Sequence, residues 1–163
     1  MATVDALRTA IVAVMLAVPD VGNVYDHVRY SAGWSNFLDN FGWANSSGEN
    51  VVRGWWLSGP TISSGPTSTF DQLTDTYTFT VHGVMTYTDS SDTDATFAAL
   101  VTAVRDKLYT QTTLAQGSAA VVPGSVELDA GLVDMRMFGS YLVHYCEMQL
   151  SVEVEQTPVV WGL

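Results

Sequence analysis

Basic side chains are scarce in this 163-residue chain: six Lys and Arg stand against 17 Asp and Glu, a formal charge of -11. The six, Arg8, Arg29, Arg53, Arg105, Lys107 and Arg136, are scattered. Gripping nucleic acid through its phosphates needs clustered cations, so this chain is expected to repel DNA rather than hold it. Cysteine is nearly absent. With Cys146 alone there is no intrachain disulfide and no Cys-based zinc site, which suits a reducing cytoplasm. The histidines are His27, His82 and His144, and no HExxH run occurs among them. The P-loop, the GxGxxG turn and the GxSxG nucleophile turn are missing as well, so no cofactor is expected, and a triad built from Asp26, His27 and a serine lacks its exposed nucleophile. Long apolar runs are also wanting. Residues 10–18 fall far short of the roughly 20 residues that cross a bilayer, and they lack a basic flank and a small-residue cleavage site, so neither a membrane span nor an export signal is expected. Two acidic groups, Asp20, Asp26, Asp39 and Glu49, then Asp89, Asp92 and Asp94, do not follow the ligand spacing of a calcium loop.

What the chain does have is periodicity. In residues 93–109, Phe97, Leu100, Val101, Val104 and Leu108 recur every three or four positions, one apolar stripe on a helix. Burying five such side chains is worth roughly 8 to 15 kcal/mol gross, so the stripe needs a covering layer. Ser91 and Asp94 have the spacing of a capping box, and Asp92 and Asp94 place negative charge at the helix start. A second one-sided helix is predicted over residues 3–18 from Val4, Leu7, Ile11, Val14, Met15 and Val18, stopped by Pro19.

Strand patterns follow at residues 24–30 and 51–58, and most cleanly at 75–88. There Tyr77, Phe79, Val81, Met85 and Tyr87 alternate with Thr76, Thr78, Thr80, His82, Thr86 and Thr88. A weaker strand is predicted at 125–137, bent at Gly131 or Gly139. A long one at 141–156 turns Cys146, Met148, Leu150, Val152 and Val154 inward. Residues 59–68 and 110–124 read as loops. Strands with one wet and one dry face imply an α+β fold: an antiparallel or mixed sheet with two helices packed on one face, a two-layer sandwich, within a single domain over 1–163.

Two segments fit this plan poorly. Residues 31–50 read as a Gly-, Ser- and Asn-rich loop insertion that carries Trp34, Phe37, Phe41 and Trp43. Residues 157–163 form an apolar tail with Val159, Val160, Trp161 and Leu163. The loop aromatics either fold over their own core or dock on a neighbour, and Trp161 either seals the domain or meets a partner. These eight residues are the candidate subunit interface. The alternative of another class is a small α+β enzyme or ligand-binding domain in which His82 and His144 meet on one sheet face.

The element order itself resembles a known family. An N-terminal helix, a short strand with Val24-Tyr25-Asp26, an aromatic strand at 51–58, a Thr-rich strand at 75–88, an amphipathic helix and two closing strands, the last with Val152-Glu153-Val154-Glu155, look like the tail terminator (tail completion) proteins of long-tailed bacteriophages. The insertion at 31–50 and the tail at 157–163 depart from compact members. The resemblance implies a non-enzymatic virion protein of the tail or neck, assembled in the host cytoplasm. It would form a homo-oligomer, a hexameric ring that caps the tail-tube protein and meets a neck or head-completion protein, while DNA passes through the lumen without specific binding. Another neck, head-tail joining or tail-tube protein is the alternative in the same setting.

Overall fold

The computed structural model describes residues 4–29, 34–44, 47–66, 73–88, 92–110, 114, 127–138 and 141–156; the side chains of Trp34, Pro66, residues 127–132 and Gln156 are not described. In chain order the elements are α1 (Val4–Leu16), β1 (Asn23–Tyr25), α2 (Trp34–Phe41), β2 (Gly42–Ala44), β3 (Asn50–Pro66), β4 (Leu73–Thr86), α3 (Thr93–Tyr109), β5 (Glu127–Phe138) and β6 (Tyr141–Gln156). The sheet runs β1-β3-β4-β6-β5, with β2 added on β3. Among the described residues only β1 pairs in parallel, so the sheet is mixed and the fold is α+β as expected.

The two helices read from periodicity share one face of the sheet. Leu7, Ala10, Ile11 and Met15 of α1 and the whole α3 stripe, Phe97, Leu100, Val101, Val104 and Leu108, are buried. They meet Trp55 and Leu57 of β3, Tyr77, Phe79, Val81 and Met85 of β4, and Cys146, Met148, Leu150, Val152 and Val154 of β6 in one cluster. Period two along the strands and period 3.6 along the helices converge on this layer.

Three expectations need correction. The stretch at 31–50 is not simply a loop, because it holds α2 and β2. Phe37 and Phe41, four residues apart, lie on one side of α2 and pack with Val52, Val84 and Val143 in a second cluster. These residues alternate with the inward set of their strands, so α2 adds a short third layer on the opposite sheet face. Gly54 makes room for it: a Cβ there would lie 2.2 Å from Phe41 Cδ1.

The predicted loop at 59–68 is strand through Pro66, since β3 continues against β4 from Thr61↔Thr78 to Pro66↔Leu73. A register shift between Ser58 and Thr61 absorbs Gly59 and Pro60, which carries no amide hydrogen for the ladder. The strand at 24–30 shrinks to three paired residues, because the chain bends at Asp26 and His27. Helix α3 has Asp92 at its N-cap in left-handed conformation without a side-chain cap bond, whereas Ser91 lies outside the described residues. The bend expected near Gly131 does appear, as a register shift between Asp129 and Leu132.

Candidate functional site

The sheet separates the two strand histidines. His82 pairs across strands with Glu147, and His144 with Met85. His144 shares the parity of Cys146 and sits beneath α3. It is 1% exposed, with Nε2 2.9 Å from Thr93 Oγ1, its ring stacked on Phe97 and Nδ1 3.9 Å from the Asp94 carboxylate. His82 lies on the other face. A cleft built on this pair is therefore overturned, because the register that pairs Gly83 with Cys146 puts His82 and His144 on opposite faces of the sheet.

On the outer face His82 belongs to a hydrogen-bonded line. Tyr145 donates to Glu147 Oε2 at 3.1 Å, so the tyrosine oxygen accepts from His82 Nδ1 at 2.6 Å, and His82 Nε2 accepts from Ser58 Oγ at 2.8 Å. Trp56 stacks on the imidazole at 5.1 Å, and the Arg136 guanidinium sits 3.9 Å above the Tyr145 ring. Burial, then the neighbouring Glu147 carboxylate, pushes the Tyr145 hydroxyl up to about 12. A hydroxyl donating into an imidazole is a pairing that nucleophilic catalysis uses. Here the serine stands in a strand on a sheet face, and the two clefts at α2 are lined by other residues. The line cross-links β3, β4 and β6. The alternation along 75–88 put His82 on the polar face, but its meeting with Tyr145 and Glu147 depends on a register that single-strand patterns do not carry.

Other candidates are placed as follows. Cys146 is fully buried, and burial raises its thiol to about 12, which fits a small core residue. Asp26 and His27 are hydrogen-bonded at the surface at 2.5 Å, and this bond holds the Asp26 carboxyl low. They stand beside a polar cleft of about 490 Å³ whose lining among the described residues is His27, Val28, Arg29, Asn36, Asp39 and Asn40. Among the described residues no group of three or more His, Cys, Asp or Glu could hold a metal ion, and no helix is long and apolar enough to cross a membrane.

Burial lowers the pKa of both strand histidines; Glu147 opposes this at His82, where Arg136 adds to it, and Asp94 opposes it at His144. Below the ordinary value of about 6.5, the unfolded chain takes up protons that the folded chain refuses. Stability is thus complete above about pH 6.5 and falls as pH drops toward the lowered folded values, by up to about 1.4 kcal/mol per pH unit for each histidine. Urea midpoints should decline between pH 7.5 and 5.5, and the H82Q/H144Q double variant should flatten that decline. A wild-type midpoint that stays level over this range refutes the assignment.

The eight candidate interface residues are placed as follows. Phe37 and Phe41 are 5% and 2% exposed within their own chain, against Phe138, Tyr25 and Trp56, so they offer no outward docking surface. Their spacing on α2 and the gap at Gly54 draw them inward. Trp43 is half-buried, with the Arg53 guanidinium 4.9 Å above its ring. The Trp34 side chain and Val159, Val160, Trp161 and Leu163 lie outside the described residues.

Two surface features were not anticipated. Val133, Met135 and Met137 alternate along the edge strand β5 and are 48%, 51% and 62% exposed. A cleft of about 650 Å³ opens between α2, the paired starts of β2 and β3, the end of β4 and the start of β6, with Leu38, Val51, Tyr87, Tyr141 and Leu142 among its lining.

No family model matches the chain, and no curated protein matches it. Among solved structures, its fold is similar to that of a chain in "Virion of native gene transfer agent (GTA) particle", with a TM-score of 0.51 and 13% identity. The match covers 95% of this chain and 96% of that one. At that identity the likeness is one of fold.

Proposed function

We propose that this chain is a structural virion protein that closes into a ring on the end of a tail tube and offers its other side to the neck, as a tail terminator does. The observation that carries this reading is the fold likeness to a virion chain along nearly the full length of both. Three features support it. An edge strand with exposed Val133, Met135 and Met137 is a surface that proteins usually blunt or cover, and association covers it. A ring of identical subunits needs two different complementary patches per chain, and exposed Val133, Met135 and Met137 lie on the sheet face opposite the one that α2 covers. The formal charge of -11 suits a lumen through which DNA slides without being held.

In this reading the partners are further copies of the chain, a tail-tube protein and a neck protein. Native mass measurement and cryo-electron microscopy of the purified chain, alone and with its tube protein, test it. A single closed ring is expected, about 106 kDa for six copies of the 17.6 kDa chain. Open-ended tubes would instead mark a tail-tube protein, and a chain that stays monomeric beside its tube partner defeats the ring.

A further inference from the structure

We propose that the cleft between α2 and the start of β6 receives residues 157–163 of a second copy of this chain; the inference rests on the ring reading and supplies its subunit contact. The chain's own tail cannot fill its own cleft. Tyr141, the first residue of β6, lines the cleft, and the tail leaves from Gln156, the last residue of the same strand. At about 3.3 Å per residue the two ends of β6 lie about 50 Å apart. Seven residues, fully extended, span at most about 25 Å.

The chemistry of the two surfaces matches. Thr157-Pro158-Val159-Val160-Trp161-Gly162-Leu163 carries no charged side chain, and Pro158 biases Thr157 toward extended backbone. The cleft presents Leu38 and Tyr141, 41% and 49% exposed, beside Val51 and Leu142, with Asp39, Asn50 and Thr86 among the polar lining. Its volume, about 650 Å³, lies inside the range of about 300 to 1,000 Å³ for clefts that bury drug-sized ligands, enough for an indole and its flanking valines. A tail given to one neighbour and a cleft filled by the other make a head-to-tail contact, the kind that closes by rotation.

The test uses two full-fold variants: Leu38→Asp, whose side chain lies outside both core clusters, and a chain ending at Gln156. Trp161→Ala serves as a milder form of the truncation. Each variant alone should stay monomeric at concentrations where the wild type forms rings, its association weakened about thirtyfold or more, the scale of a buried aromatic anchor. Mixing the first two should yield 1:1 heterodimers that grow no further, because only one tail and one cleft in each pair are intact. Native mass spectrometry reads all of these species. Ring formation by the chain ending at Gln156 overturns the inference and leaves the ring standing. Monomeric variants that do not pair on mixing overturn it too, and a wild type that never assembles overturns both.

Discussion

Replacing Trp55 with alanine is expected to remove about 3 to 5 kcal/mol of stability, the usual cost of deleting a large buried aromatic. Trp55 is fully buried and ties three parts of the fold together. Its indole Nε1–H donates to the Val21 carbonyl at 2.9 Å, holding the turn after α1 against β3. Its ring lies over Gly83, where a Cβ would come within 2.5 Å of it, and faces Phe97 of α3 at 6.4 Å. Truncation leaves a cavity between both helices and the sheet, and also a buried carbonyl without its donor, worth about 1 to 3 kcal/mol by itself. Since small domains are stable by only about 5 to 15 kcal/mol in total, the variant should sit near the edge of folding. Chemical denaturation checks this; a loss under about 1 kcal/mol would show that the site collapses around the deletion.

Phe41→Ala should have a comparable cost, but confined to the other face. Phe41 rests over Gly54 and meets Phe37 at 5.0 Å, Trp56 at 5.3 Å and Tyr25 at 5.7 Å. The end of α2 is also held by polar groups, because Asn23 Nδ2 donates to the carbonyls of Asn40 and Gly42 and the Tyr25 hydroxyl donates to Asn40. An eight-residue helix has little stability of its own, so its docking depends on the two phenylalanines. Removing one should cost about 3 to 5 kcal/mol of that docking. Hydrogen exchange should accelerate sharply in α2 and little in α1 and α3, whose stripes face the separate main cluster. Assembly should weaken as well, since Leu38 and Asp39 of α2 line the cleft. Equal acceleration in α2 and α3 would show that both faces open as one unit.

The elements legible in the sequence are those whose stability comes from a long one-sided pattern. The α3 stripe is buried at all five expected positions, and the inward set of β6 is buried from Cys146 to Val154. Seventeen helical residues or sixteen strand residues repeat their period several times, so the pattern outweighs local irregularities. In α2 the apolar positions Trp34, Phe37, Leu38 and Phe41 do have helical spacing, but they span only two turns within a Gly-, Ser- and Asn-rich segment, too short a run to stand out from a loop. The far half of β3, Thr61 to Pro66, ends in the poor strand residues Ser63, Ser64, Gly65 and Pro66 and is held by pairing with the Thr-rich β4.

The amino-acid sequence by itself determined the fold class, the two helices of the main layer and the inward faces of β4 and β6, because apolar spacing is a local property. The pairing of Gly83 with Cys146 allotted His82 and His144 to different faces, against the expectation that they meet on one. Only the tertiary structure decided that alignment, the docking of α2 over Gly54, the line from Ser58 to Glu147, and the cleft beside Tyr141. Each of these joins residues distant along the chain, and their proximity follows from strand register and from space left by a missing side chain, which no single segment encodes.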